Sequence, residues 1–351
     1  MLYELKQMLE LAGYPGDQNT LHYASLGLAL PLMSERRIGA AHPLGWHRAR
    51  IVAAVTQDTL RICFDTYGRQ CAHVLWSGAS AQLEQALLSR GPDLAGPAEL
   101  APDGSIWVLD MGVKFDSLMP LLTRLRDDWL APHGVLSYFR YKQGRRIAKR
   151  IRRSSHASFL RRSGAALPER APFLLSKEGA GLRHGFTQSL DAAIELGKLL
   201  ELQCQTPELT SQPLAGALQR VQAPVNLLQQ RMYTAPDGTP GGFITWAWLE
   251  RSTAARPFSA LSLQPFEWNQ GDLLCLMDAM ATPACLEQLM HDLGGGLFPG
   301  QELSVCPRWE SADPGVWRTW DPVQRGALAE LVGTLDAPTD IAALLARKGT
   351  Q

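Results

Sequence analysis

Two aspartates stand at corresponding places in the two halves of the chain, each at the end of a strand-like run. Asp110 ends "SIWVLD" and Asp278 ends "DLLCLMD", and a tryptophan, Trp76 or Trp246, ends the run before each of them. A carboxylate in such a place can support a histidine that moves a proton. It can equally cap the helix that follows or close the strand-end loop. Each aspartate is therefore a candidate member of an acid–base site, with a local structural role as the alternative.

The elements that would position these aspartates predict a mixed α/β protein. Helical periodicity is clear in residues 2–12, 80–89, 117–129, 189–202 and 284–293. Strand-like runs include "TLRICFDTYGRQCAHVLW" and "NLLQQRMYTAPDGTPGGFITWAW". The turns "DTYG" and "APDGTP" divide each of these two runs into a predicted hairpin.

Four landmarks recur in the same order in the two halves of the chain. A helix with Leu-Gly (residues 26–27 and 196–197) precedes a hairpin ending in tryptophan, a strand ending in aspartate and a further helix. We interpret this as a degenerate tandem duplication. The predicted units are residues 1–155 and 185–351, separated by a Ser-, Arg- and Gly-rich linker over residues 156–184.

Composition indicates a folded, soluble and cytoplasmic protein. Hydrophobic residues make up 46% and charged residues 19%, and the formal net charge is zero, which does not favour nucleic acid or a membrane surface as partner. The N-terminus predicts an amphipathic helix rather than a signal peptide, and no apolar run has the length of a membrane span. Six cysteines without a CxxC pair predict buried, reduced thiols, and eight histidines show no metal-binding spacing.

Between Leu196 and Gly300, the second half contains four notable segments in this order: "LGKLLELQCQTPEL", "APVNLLQQRMYTAPDGTPGGFITWAWL", "FEWNQGDLLCLMDAMATP" and "GGGLFPG". In this order they resemble the pattern of the toxin-activating lysine acyltransferases, a family with a GNAT-like fold. The strongest points are Trp246, "WNQGD" (268–272) and Asp278, and the first half matches more weakly through "CAHVLWS" and "WVLD". The resemblance implies two tandem GNAT-like units, each a mixed central sheet flanked by helices, forming an intramolecular pseudo-dimer.

The family moves a fatty acyl group from acyl carrier protein to a lysine amine. The resemblance thus implies an acyltransferase that takes acyl carrier protein or acyl-CoA as co-substrate, modifies a peptide or protein amine and needs no further cofactor. It also implies that Asp278, and by the repeat Asp110, occupies the catalytic aspartate position. A histidine supported by a carboxylate suits this reaction, because the substrate ammonium must lose a proton before it attacks a thioester.

The sequence departs from the family at its catalytic histidine, which belongs to an "S-P-L-H" stretch. An ungapped alignment places Leu209 there in the second half, and Arg37 or Gly39 in the first. His42 of "AAHPLGWHR" precedes Trp76 by nearly the same distance along the chain as Leu209 precedes its own tryptophan. We therefore predict His42 and Asp110 as the catalytic pair.

Two further groups are predicted to bind substrate. The run "RYKQGRRIAKRIRRSSHASFLRR" is rich in Lys and Arg and has no acidic residue, so Arg145 and Arg146 are expected to help dock an acidic partner. Trp246, Trp248 and Trp268 are expected to line an acyl or side-chain tunnel, with packing in the core as the alternative.

Two other functions stay open at this point. One is a repurposed GNAT-like peptide-tailoring enzyme that uses a bound haem or metal, with histidines of the first half as ligands. The other is a non-catalytic partner that binds a peptide.

Overall fold

The computed structural model describes most of the chain, in two compact units. The described residues are 3–35, 41–65, 68–92, 105–113, 118–129, 135–142, 145–152, 180–254, 263–305, 318–328 and 332–348. The first unit comprises residues 1–39 and 46–194, and the second comprises residues 40–45 and 195–351. Each unit combines one mixed β-sheet with helices, so the predicted mixed α/β class is confirmed. The predicted linker stays a prediction, since residues 153–179 lie outside the described part of the chain.

The first unit carries six strands and five α-helices among the described residues. In chain order they are β1 (Tyr3–Glu4), α1 (Leu5–Ala12), α2 (Gln18–Ser34), α3 (Leu44–Thr56), β2 (Leu60–Phe64), β3 (Gln70–Ala79), α4 (Ala81–Arg90), β4 (Ser105–Val113), α5 (Leu118–Arg124), β5 (Val135–Lys142) and β6 (Arg145–Arg152). The first two residues of α3 are counted with the second unit. A π-helical turn, Leu125–Trp129, continues α5.

The second unit follows with six strands and seven α-helices among the described residues. They are α6 (Ala180–Gln203), α7 (Pro207–Thr210), α8 (Leu214–Asn226), β7 (Gln230–Thr234), β8 (Pro240–Leu249), α9 (Arg251–Ala254), β9 (Leu273–Ala281), α10 (Leu286–His291), β10 (Leu303–Val305), β11 (Arg318–Trp320), α11 (Pro322–Gly326), β12 (Thr339–Asp340) and α12 (Ile341–Lys348). Helix α6 starts before residue 195 and crosses the division between the units. Short 3₁₀ turns at Pro265–Trp268 and Pro283–Cys285 precede β9 and α10.

The two sheets share one strand order. The first runs β1-β2-β3-β4-β5-β6, and the second runs β7-β8-β9-β10-β11 with β12 paired to β9. The fourth and fifth strands of the first sheet, β4 and β5, are parallel, and so are their counterparts β9 and β10. The other described pairs are antiparallel. The predicted hairpins are β2–β3 and β7–β8, and the aspartate of interest lies on the strand next to each.

Corresponding elements of the two units also have matching lengths. The bounds of α8, β7 and β8 are those of α3, β2 and β3 moved along the chain by one constant shift, which takes the helix from 44–56 to 214–226. Strand β9 is related to β4 by a slightly smaller shift. The register against the second hairpin strand shifts at the same place in both sheets, between Leu75 and Trp76 and between Thr245 and Trp246, so β4 and β9 each carry one extra residue, Leu109 or Met277, directly before the aspartate. A bulge re-aims the strand and increases its twist, so its recurrence at the same place means that both sheets bend alike.

The core of each unit is formed where helices cover the sheet. In the first unit α5 and its π-helical turn cover strands β2 to β5, and Trp76 stacks on Trp129 with ring centroids 6.4 Å apart. In the second unit α10 and α12 cover β8 to β10, with Leu289, Ile341 and Leu345 fully buried. The second hairpin strands β3 and β8 are buried along nearly their whole length, which explains why both read as continuous apolar runs.

Two predictions about the chain as a whole can be compared with the described residues. Cys63, Cys71, Cys275 and Cys285 are buried free thiols, and Cys204 is a half-buried one, while Cys306 lies outside the described part. Burial raises the pKa of the Cys63 thiol. Among the helices that the structure describes, none has the length and apolarity needed to cross a membrane.

Candidate functional site

Asp278 lies inside the second unit and is paired with an arginine. Its Oδ2 lies 2.8 Å from Nη2 of Arg220, and the side chains of both residues are at most 4% exposed. Arg220 projects from α8, and Gln203, the last residue of α6, places its Nε2 3.5 Å from the same carboxylate oxygen. A carboxylate held in this way is the counter-charge of a buried guanidinium, and the 1% exposure of its side chain leaves little access for a substrate.

Asp110 has a different neighbour. Nε2 of His73 lies 3.5 Å from Asp110 Oδ1, a distance that is long for a hydrogen bond. The histidine is fully buried, whereas 15% of the aspartate side chain is exposed. The sheet explains the pairing, because β3 and β4 place His73 opposite Gly112 and Leu75 opposite Asp110. Residues two apart on a strand share a face, so the histidine and the aspartate are diagonal neighbours.

Gly112 makes room for the imidazole. A Cβ at this position would lie 2.4 Å from Cε1 and 2.8 Å from Nδ1 of His73. The second unit has a larger pair at the same place, since Phe243 faces Met280 across β8 and β9. The first unit thus has a small residue and a buried histidine where the second has two apolar side chains.

We expect Gly112→Ala to destabilise the first unit by about 1–3 kcal/mol, because the added methyl overpacks a fully buried ring. Chemical denaturation followed by tryptophan fluorescence measures the change. Gly16→Ala is the matched control, because a Cβ there meets nothing within 4 Å, and it should change the stability by less than about 0.5 kcal/mol. Equal stabilities of the two variants would contradict the described packing of His73.

His42 lies just before α3 and is counted with the second unit, whereas Asp110 belongs to the first. Neither unit therefore contains the predicted pair by itself. The main chain around His42 pairs with the segment before α8: Leu214 N donates to His42 O at 2.9 Å, and Leu44 N donates to Gln212 O at 2.8 Å. Pro43 and Pro213 form the antiparallel bridge between these bonds.

This pairing indicates another register for the family's "S-P-L-H" stretch. Pro43-Leu44 and Pro213-Leu214 open α3 and α8, which are equivalent helices of the two halves. When the Pro-Leu step is matched to them, the histidine position falls on Gly45 and Ala215. Neither residue can carry a proton, so in this register too the chain lacks a histidine at that position.

The three tryptophans predicted to bind substrate pack within the second unit. Trp246 and Trp248 contact Phe298 edge-on, with ring centroids 5.1 and 6.1 Å apart. Trp268 is 1% exposed and lies in a separate core cluster with Leu249 and neighbouring apolar residues. Their predicted substrate role stays a prediction, and the contacts described are those of core packing.

The "WNQGD" loop is fixed against β8 by its backbone. The amides of Gln270 and Gly271 both donate to the carbonyl of Trp248, at 2.9 and 3.0 Å. A Cβ on Gly271 would lie 1.9 Å from the carbonyl carbon of Leu249, so only glycine fits this approach. The glycine of the loop is therefore explained by packing of two backbones.

The two arginines predicted to dock a partner have different surroundings. Arg146 donates from Nη1 to Arg90 O at 2.7 Å and from Nη2 to Ser89 O at 3.3 Å, so it satisfies carbonyls at the end of α4. Its guanidinium also lies over the ring of Phe139, 5.4 Å from the centroid. Arg145, the preceding residue on β6, is exposed.

The described residues contain no group of three or more His, Cys, Asp or Glu side chains arranged to hold a metal ion.

A comparison with protein families identifies the second half. Residues 188–314 match the model of the RTX toxin acyltransferase family. The matched residues make up less than half of the chain. The resemblance read from the sequence is confirmed by this match for the second half, and the class of enzyme it supports is a transferase of acyl groups. No curated protein gives a match to the chain.

The matched acyltransferase region runs from α6 through β10 and contains the Asp278–Arg220 pair. Asp110 and His73 of the first unit lie outside it. Sequence reasoning missed both partners of the aspartates. The alternation of β3 could have indicated His73, because the histidine falls on the face of the predicted hairpin that Asp110 would share. Arg220 gave no comparable signal.

Proposed function

We propose that the protein moves an acyl group from acyl carrier protein or acyl-CoA to an amine of a peptide or protein. The observation that carries this proposal is the match of residues 188–314 to the RTX toxin acyltransferase family. Support for extending it to the whole chain comes from the strand order that the first unit shares with the matched one.

The reaction would be an acyl exchange at the thioester carbonyl. The substrate ammonium first gives a proton to a base, and the free amine then attacks the carbonyl carbon. The C–S bond breaks as the amide bond forms, and the leaving thiolate takes up a proton. A histidine suits the base because its ordinary pKa, about 6.5, lies near neutral pH.

We assign the chemistry to the first unit. Asp278 is a buried counter-charge, whereas Asp110 is partly exposed and has a histidine beside it. Because His73 is fully buried, it suits the role of a positioning residue behind the carboxylate better than that of a group meeting the amine. His42, which is half-buried, is counted with the second unit, so its predicted role as base stays a prediction outside this assignment.

We further propose that the chain arose by tandem duplication of a GNAT-like unit and that its halves form a pseudo-dimer. The matching bounds of α3, β2 and β3 with α8, β7 and β8 support this origin.

The test is to incubate the purified protein with acyl carrier proteins charged with acyl chains of several lengths, and separately with acyl-CoA, together with lysine-containing peptides. We expect release of the donor thiol and a mass increase of one acyl group on a peptide lysine. Hydroxylamine should leave this adduct intact, since it cleaves thioesters and esters but not amides. A Soret absorption band or a bound metal in a protein that leaves every donor intact would overturn the proposal and favour a cofactor-dependent peptide-tailoring enzyme. A protein that binds peptide without any conversion would favour the non-catalytic partner.

A further inference from the structure

The hairpin β5–β6 carries many cations, and its two faces differ in what these cations contact. On one face, Arg146 satisfies carbonyls at the end of α4 and Arg150 pairs with Glu84 of the same helix. These two arginines are engaged inside the first unit. They hold α4 against the sheet, so part of the basic run has a structural role.

The other face of the hairpin exposes three cations around one apolar side chain. Arg140 lies directly across from Ile147, and Arg145 and Lys149 are the residues two before and two after it on β6. All three cations are exposed, and Ile147 is 37% exposed. Within the described residues, none of the three has an acidic partner within ion-pair distance. We call Arg140, Arg145, Ile147 and Lys149, with Tyr138 across from Lys149, the basic face.

We propose that the basic face docks an acidic helix of a partner protein. An exposed apolar residue ringed by like charges has the plan of a protein–protein contact, with an apolar centre and a polar rim. Arg145 and Lys149 are four residues apart, about 13 Å along the strand, and side chains two turns apart on a helix lie about 11 Å apart. A helix with an apolar side chain between acidic ones would therefore place a carboxylate near Arg145 and another near Lys149.

The strand position and the other half of the chain add to this inference. Strand β6 ends the first sheet, as far as the described residues show, and its eight residues give a long surface. The counterpart β11 in the second sheet has three residues, "RTW", and no basic run surrounds it. Charges on an edge strand also hinder aggregation. That role alone does not explain why the cations extend onto β5 around an exposed isoleucine.

Under the proposed function, this partner is the acyl carrier protein rather than free acyl-CoA, and to that extent the inference rests on the proposed function. Nucleic acid fits less well, because the chain has no net charge and the basic face has only one aromatic residue, Tyr138. Binding of nucleic acid is therefore one of the results that the experiment distinguishes.

The experiment measures binding of the full-length protein to an apo acyl carrier protein, which bears no acyl group. The test variant is Arg145→Glu/Lys149→Glu. The matched control, Lys6→Glu/Arg251→Glu, makes the same change in net charge at two exposed cations that are not part of the basic face. Ile147→Ala probes the apolar centre, and thermal unfolding checks that all variants fold.

We expect the test variant to weaken binding by about tenfold or more, since like charges then face each other. Its affinity should also depend less on salt than that of the unmodified protein, because fewer exposed ion pairs remain to be screened. The control should bind as the unmodified protein does, and Ile147→Ala should weaken binding without changing its salt dependence. Equal affinities of test variant and control, absence of binding to the carrier protein, or binding of duplex DNA or RNA through the same residues instead, would overturn the inference.

Failure of the proposed function gives a different result. Binding of the apo carrier through the basic face without any acyl transfer would support the docking surface and contradict the proposed function. Equal acyl transfer by the test variant and the control would support the proposed function and contradict the docking surface.

Discussion

Replacing Asp278 by alanine is expected to lower the free energy of unfolding of the second unit by about 3–5 kcal/mol. The variant leaves the guanidinium of Arg220 buried with its counter-charge removed, and such a charge is costly away from water. The carboxylate contacts of Gln203 are lost as well. Urea denaturation followed by tryptophan fluorescence measures the loss as a shift of the midpoint. A transition assigned to the second unit should move while that of the first does not.

Two controls separate the buried charge from other causes. Asp272→Ala removes an exposed aspartate near the start of the same strand and should change stability by less than about 0.5 kcal/mol. The double variant Asp278→Leu/Arg220→Met removes both charges and should be clearly more stable than Asp278→Ala. An Asp278→Ala protein as stable as the Asp272→Ala control would show that the described pair contributes nothing, and would reopen an accessible catalytic role for Asp278.

The strands and the hairpins could be predicted because their signals are local. Apolar runs divided by "DTYG" and "APDGTP" fix β2–β3 and β7–β8, and short turns set the register of such hairpins. The landmarks that recur in order in the two halves correspond to elements with matching bounds in both units. The local sequence pattern therefore predicted the strands and hairpins of each sheet without knowledge of their long-range contacts.

The partners of the charged groups could not be predicted, because they come from distant parts of the chain. Arg220 lies on α8, and strands β7 and β8 separate this helix from Asp278 along the chain. Nothing in "LAGALQRVQAPVN" indicates that its arginine is buried. Arg325 is similar: it is 1% exposed and donates to the carbonyls of Leu293, Phe298 and Gln301. Burial lowers the pKa of this guanidinium. The glycine-rich segment "LGGGLFPG", residues 293–300, gives no local signal for the arginine that donates to its carbonyls.

The same dependence on distant contacts explains why the histidine that contacts Asp110 was not predicted. A family motif guided the search for a histidine near Asp110 to His42, which precedes a helix. The contact that the first unit makes is with His73, and it depends on the register of two strands and on a glycine at position 112. Register follows from the complete sheet, so spacing along the chain could not distinguish between the two histidines.

Replacing Asp110 by asparagine is expected to lower the rate of acyl transfer by about 10²–10⁴-fold, the usual contribution of general acid–base catalysis. Asparagine keeps the shape of the side chain but removes the charge that would stabilise a protonated histidine, so the loss should lie in kcat rather than in KM. Steady-state release of the donor thiol measures both constants. Asp278→Asn, assayed per folded protein, should retain the unmodified kcat under the proposal that places the chemistry in the first unit, because Asp278 is buried and paired with Arg220.

Histidine variants then assign the proton acceptor. His42→Ala tests the predicted base, and a folded His42→Ala protein with the unmodified kcat would contradict that role. His73→Phe reproduces the residue of the second unit, Phe243, and should lower kcat without raising KM, since a buried positioning residue does not meet the amine. An inactive, folded Asp278→Asn protein beside a fully active Asp110→Asn one would move the reaction to the second unit, where residues 188–314 match the acyltransferase family.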